Sequence, residues 1–111
     1  MTTYKRLSSV KELIEASEAH PVFLLKHSKT CPISAQNKKD TDQFFVSHPN
    51  EVGYLLIVQE QRELSNKIAE ELGVKHETFQ LIYLSEGKVK DVLNHYESTK
   101  ENIEKLIEDS A

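Results

Sequence analysis

Cysteine is almost missing from this chain: Cys31 stands alone among 111 residues. A single cysteine excludes an internal disulfide and an all-cysteine metal site within one chain. Such sparing use suits a reducing compartment. Positive charge is not in excess either. The chain has 14 Lys and Arg against 18 Asp and Glu, a net charge of −4, with both signs mixed along its length. Nucleic acid, which requires a basic face, is therefore not an expected partner. Long apolar runs are lacking as well. Val22 to Leu25 and Tyr54 to Val58 are far too short to span a bilayer. Residues 1–15 carry Lys5, Arg6, Lys11, Glu12 and Glu15 and contain no apolar signal-peptide stretch, so we expect a cytoplasmic protein with no membrane partner. The five histidines, His20, His27, His48, His76 and His95, include no pair at metal-ligand spacing, and no bound metal or cofactor is expected. No low-complexity linker or internal repeat divides the chain. Residues 1–111 should form one domain, large enough for a core without staples.

What is present reads as alternating strands and helices. Tyr4 to Leu7 predicts a short first strand. Ser9 and Glu12 stand at capping-box spacing, and Val10, Leu13 and Ile14 recur at helical spacing, which predicts a helix over Ser9 to Ala19. Val22 to Leu25 is a β-prone apolar run, the pattern of a strand buried on both faces. A helix from Pro32 to Phe45 or Val46 follows, ended by His48-Pro49-Asn50. Tyr54 to Val58 repeats the buried-strand pattern. Leu64, Ile68 and Leu72 share one face of a helix over Arg62 to Leu72, with Gly73 at its C′ position. Gln80 to Leu84 and Lys88 to Leu93, joined by Ser85-Glu86-Gly87, predict a β-hairpin. Ser98 and Glu101 repeat the capping-box spacing ahead of a last helix over Thr99 to Glu108. The order β-α-β-α-β-α-β-β-α implies an α/β fold: a central mixed sheet with helices on both faces, in three layers.

Cys31 falls where such a fold places its chemistry. It follows a buried strand, and sites form at the C-terminal ends of strands in sheets of this kind. Pro32 comes next, and proline is favoured in the first helical turn, so Cys31 sits at or beside the N-cap. A free thiol has a pKa of about 8.5. Unsatisfied N–H groups and the positive end of the helix favour the thiolate and can lower that value to about 3.5–7.5. Lys26, His27 and Lys29 add positive charge, no acid follows before Asp40, and Ser34, one turn on, could donate to the sulfur. Cysteine is also among the most buried residue types and is commonly inert; its position here favours a nucleophile.

Thr30-Cys31-Pro32-Ile33-Ser34, preceded by Lys26-His27-Ser28, resembles the active-site signature of the monothiol bacilliredoxins. The resemblance extends over the whole chain, including Gly73-Val74-Lys75-His76-Glu77. It implies a thioredoxin-like fold, whose element order matches the one above. It also implies that Cys31 is the catalytic thiol of a thiol–disulfide oxidoreductase acting on S-bacillithiolated proteins. Dithiol relatives carry a second, resolving cysteine three residues on. Here that position is Ser34, so only mixed disulfides with another molecule can form. Bacillithiol would be the co-substrate, and a flavoenzyme disulfide reductase would act indirectly as a partner. His27 and Lys29 would assist thiol acidity. Thr78 and Phe79 would lie opposite the cysteine and contact substrate. Thioredoxin-like proteins usually have a cis-proline at that point, and Phe79 stands in its place.

Two alternatives belong to other classes. One is a glutaredoxin-like iron–sulfur cluster carrier, with one cysteine from each of two chains. Pro32 and Ile33, in place of the usual glycine and phenylalanine, count against it. The other is a redox-silent thioredoxin-like interaction domain that binds a partner in an exposed groove around Phe79 and Ile33.

Overall fold

Three of the strands form from apolar runs, and three of the helices are held by a cap or an apolar stripe. A computed structural model of the protein describes residues 4–28, 32–75, 77, 79–94 and 97–110, with the side chains of 32–34 and 110 left aside. The elements are β1 (Lys5–Arg6), α1 (Val10–Ala19), β2 (Val22–His27), α2 (Pro32–Ser47), β3 (Val52–Ile57), α3 (Arg62–Leu72), β4 (Gln80–Ser85), β5 (Lys88–Asn94) and α4 (Lys100–Ser110). Their order is the expected one. The five strands make one mixed sheet in the order β1-β3-β2-β4-β5. β1, β3 and β2 are parallel, while β4 and β5 are antiparallel additions beside β2.

β2 is the axis of the sheet. Val22 and Leu24 turn to one face, where they join Leu13 of α1 and Ile68 of α3. Phe23 and Leu25 turn to the other, against Phe44 and Phe45 of α2 and Ile103 and Leu106 of α4. This is the three-layer arrangement that a strand apolar at every position requires. Gly53 in β3 is dictated by packing: a Cβ there would stand 2.9 Å from Tyr4 Cδ1 and 3.1 Å from Phe45 Cζ.

Local chemistry sets the element ends. Ser9 caps α1, its hydroxyl accepting from the Glu12 N–H at 3.1 Å. Gly73 closes α3 in the left-handed conformation, at φ 66°, which glycine adopts without a Cβ penalty. At α4 the cap is Thr99, whose hydroxyl accepts from the Asn102 N–H at 3.2 Å. Ser98, the residue expected to cap, is instead fully buried and bonded to Thr41 of α2. Among the described residues no helix is long and apolar enough to cross a membrane.

Candidate active site

β2 runs two residues further than its apolar stretch, so Lys26 and His27 belong to the sheet. They pair with Leu56 and Ile57 of β3, and Lys26 also pairs with Gln80 of β4. Beyond the strand, the turn after β3 takes over. The Val58 N–H donates to the His27 carbonyl at 3.0 Å, and Gln59 Nε2 donates to Ser28 Oγ at 2.7 Å. α2 begins at Pro32, so Cys31 directly precedes a 16-residue helix. No acidic residue lies in the first turn of that helix, so no carboxylate there opposes its positive end. Cys31, Lys29, Thr30 and Thr78 lie outside the described residues, as do the side chains of Pro32, Ile33 and Ser34.

Successive residues at the end of β2 face opposite ways and meet different partners. His27, half-buried, turns toward Phe79, ring centroids 6.3 Å apart in an edge-on arrangement. Phe79 itself is 0% exposed and packs with Phe23, Leu25 and Phe44. An exposed groove around Phe79 is thereby ruled out. The residue falls one step before β4, on the face that already holds Leu81 and Tyr83, so its ring enters the core. Its side chain is an anchor for the α3–β4 connection, not a surface for substrate.

Lys26 turns to the α1/α3 face and is also 0% exposed. In the sequence it is one of several local cations, with nothing to mark it as buried. Burial pushes its pKa down to about 8, and the Glu77 carboxylate acts in the opposite sense. Its register partner Gln80, itself buried, donates from Nε2 to the Lys75 carbonyl and to Asn94 Oδ1, both at 2.9 Å. Gln80 Oε1 is buried and has no hydrogen-bond partner among the described residues. Nothing in the local sequence marks Glu77 and Gln80 as neighbours of this strand end. They lie some fifty positions from Lys26, and only the β2–β4 register brings them near it.

The chain matches a family model described as monothiol bacilliredoxin BrxC over residues 3–103. Among solved structures it is similar to a candidate oxidoreductase with a thioredoxin fold, at 34% identity and a TM-score of 0.84, covering 94% of this chain and 93% of that one. It also superposes on the oxidised thioredoxin of Plasmodium falciparum (16% identity, TM-score 0.70, covering 98% and 99% of the two chains). The thioredoxin of Fasciola hepatica is a further match (11%, 0.72, 96% and 99%). These last two likenesses are of fold.

Proposed function

Because this chain belongs to the monothiol bacilliredoxin family and is a thiol–disulfide oxidoreductase of thioredoxin fold, we propose that it removes bacillithiol from S-bacillithiolated proteins through Cys31. The observation that carries this reading is the family match over residues 3–103, which spans the Cys31 motif, in a chain with no second cysteine.

The chemistry balances in two exchanges. The Cys31 thiolate attacks the bacillithiol sulfur of a protein–bacillithiol disulfide. The S–S bond breaks, the target protein leaves as a thiolate and takes a proton from solvent, and a Cys31–bacillithiol disulfide forms. A free bacillithiol thiolate then attacks the bacillithiol sulfur of that adduct. Cys31 is released as thiolate, and bacillithiol disulfide is the product. A flavoenzyme disulfide reductase returns the disulfide to the thiol pool with electrons from outside this protein. Position 34 is serine, so no internal thiol competes for the adduct, and the second exchange is intermolecular.

Intact-mass analysis after mixing with oxidised bacillithiol tests this reading. The wild type should gain the mass of one bacillithiol, reversibly under reductant, and Cys31→Ser should gain none. A parallel arm with oxidised glutathione reports preference between the two small thiols. A wild type that forms no bacillithiol adduct at neutral pH overturns the reading.

A further inference from the structure

At the end of the sheet where β2 begins lies an open cleft of about 850 Å³, lined by Pro21, Glu51, Val52, Tyr83, Ile107 and Glu108. β2 starts beside it at Val22 and ends at His27, so about 17 Å of strand separates it from the end that leads to the thiol. Its wall is apolar at Pro21, Val52 and Ile107 and acidic at Glu51 and Glu108. Among the described residues no lysine or arginine lines it, and neither carboxylate has an ion-pair partner. Three helices end at this edge: α1 just before His20, α2 just before the turn to Asn50, and α4 just past Glu108. None has a basic residue in its last turn. Their negative poles add to the two carboxylates, and the whole favours a cation. His20, also on the wall, turns its Nδ1 to the Pro21 carbonyl at 3.3 Å. Tyr83 supplies the polar group inside. The residue is 4% exposed, and its ring is held on that of Phe23, centroids 4.6 Å apart. Its hydroxyl has no hydrogen-bond partner among the described residues, yet it is not sealed from solvent; what stays open of the residue faces the cleft. Burial raises the Tyr83 pKa and the Glu51 carboxylate raises it further, so the phenol stays neutral. Hydroxyl and carboxylate thus act on each other with no hydrogen bond between them, and one donor group set between the two would satisfy both.

We propose that this cleft docks a polypeptide partner by one arginine side chain, whose stem lies on Pro21, Val52 and Ile107 and whose guanidinium donates to the Glu51 carboxylate and the Tyr83 hydroxyl. A guanidinium suits this set better than an ammonium. Its planar fork offers five donors and is more weakly hydrated, so it serves several acceptors at once. The cleft is open, whereas small-molecule sites enclose about 70–90% of their ligand's surface; this favours a side chain carried by a larger partner. Glu108 and the helix ends supply further negative charge around the guanidinium without having to touch it. The cleft shares no residue with the Cys31 motif, and its occupancy is independent of thiol exchange.

The test is titration of the isotope-labelled full chain with a blocked tripeptide, acetyl-Leu-Arg-Leu-amide, followed by backbone amide shifts in NMR spectra. The peptide should move the signals of Glu51, Val52, Tyr83 and Ile107 together along one saturable curve. The citrulline counterpart, the same shape without the charge, should bind at least about ten-fold more weakly. Butylguanidinium, the side chain without its apolar flanks, should bind at least about three-fold more weakly. Tyr83→Phe keeps the ring on Phe23 and should weaken the arginine peptide about three- to ten-fold; Glu51→Gln should weaken it about ten-fold or more. Shifts that never saturate, shifts centred away from the cleft, or equal binding of the citrulline peptide overturn the proposal. Butylguanidinium that binds as tightly as the peptide does so too, because the site then takes a free cation and not a polypeptide. Unchanged affinity in both variants is equally fatal. The three ligand arms need only the wild type, so a variant that fails to fold leaves the outcome decided. None of these measurements involves bacillithiol or the thiol.

Discussion

A lysine kept inside a sheet has a stability signature of its own. The unfolded lysine holds its proton up to about 10.5, whereas the folded one releases it at about 8. Between those values the unfolded state binds more protons, so stability climbs with pH. Below about 8 both states are protonated and the full cost of the buried charge is present. Lys26→Met removes that cost, and Glu77 is not left isolated, because Lys75 is within 3.7 Å of it. We expect Lys26→Met to be more stable than wild type at pH 7, by about 1–3 kcal/mol. The advantage should shrink as pH rises from 8 toward 10, measured as denaturant midpoints at constant m-value. A destabilised Lys26→Met at pH 7 would show that hydrogen bonding to the ammonium outweighs its desolvation. At this scale the sequence disclosed the motif and little of what surrounds it. Cys31, Pro32 and Ser34 are adjacent and could be read together. The burial of Lys26 and the core position of Phe79 both depend on how β2 and β4 align, which no local pattern reveals.

The elements were legible where their buried faces are apolar, and harder to read where they are not. β2, β3 and β4 are continuous hydrophobic runs, and α1 and α3 carry apolar stripes at helical spacing. α2 was recognisable as a helix from its proline start and polar run, yet its packing face was not. That face is Asn37, Thr41, Phe44 and Phe45, all buried and spaced at i, i+4, i+7 and i+8, with two of the four positions polar. Thr41 donates to the Asn37 carbonyl at 2.8 Å. Its single hydroxyl proton is thereby used, so the 2.8 Å contact with Ser98 must be donated by Ser98. The same seam continues in His48 and Glu104, 2.8 Å apart. Ser98 appeared in sequence as a helix cap because serine three residues before glutamate is the usual cap spacing; a tertiary partner took it, and Thr99 caps instead. Thr41→Val should leave the Ser98 hydroxyl buried without an acceptor and cost about 1–3 kcal/mol. Ser98→Ala should cost about 1 kcal/mol or less, since Thr41 keeps its own acceptor. The double variant should be less destabilised than the sum of the two, a coupling that a double-mutant cycle in denaturant reads directly. Strict additivity would mean that the two hydroxyls do not interact in solution.

The whole molecule holds one sulfur atom that can enter a disulfide, and this limits what a single chain can accomplish. Each chain can store one leaving group, as an adduct on Cys31, and contains no second thiol to discharge it. With an S-bacillithiolated protein in excess and free bacillithiol withheld, one equivalent of target thiol per chain should appear in a single burst, after which the reaction stops. Intact mass at the plateau should show every chain carrying one bacillithiol. Adding bacillithiol should restart turnover at a rate first order in its concentration until the first exchange limits. The alternative route to discharge is a second copy of this chain, whose Cys31 would attack the adduct and leave a covalent dimer. That path releases free bacillithiol without any being added and makes the plateau depend on protein concentration. It is read on a non-reducing gel alongside the mass measurement. A burst of one equivalent with a monomeric adduct supports resolution by the small thiol. A plateau that falls toward half an equivalent of target thiol per chain, with free bacillithiol and a disulfide-linked dimer beside it, would shift the resolving step from bacillithiol to the protein itself.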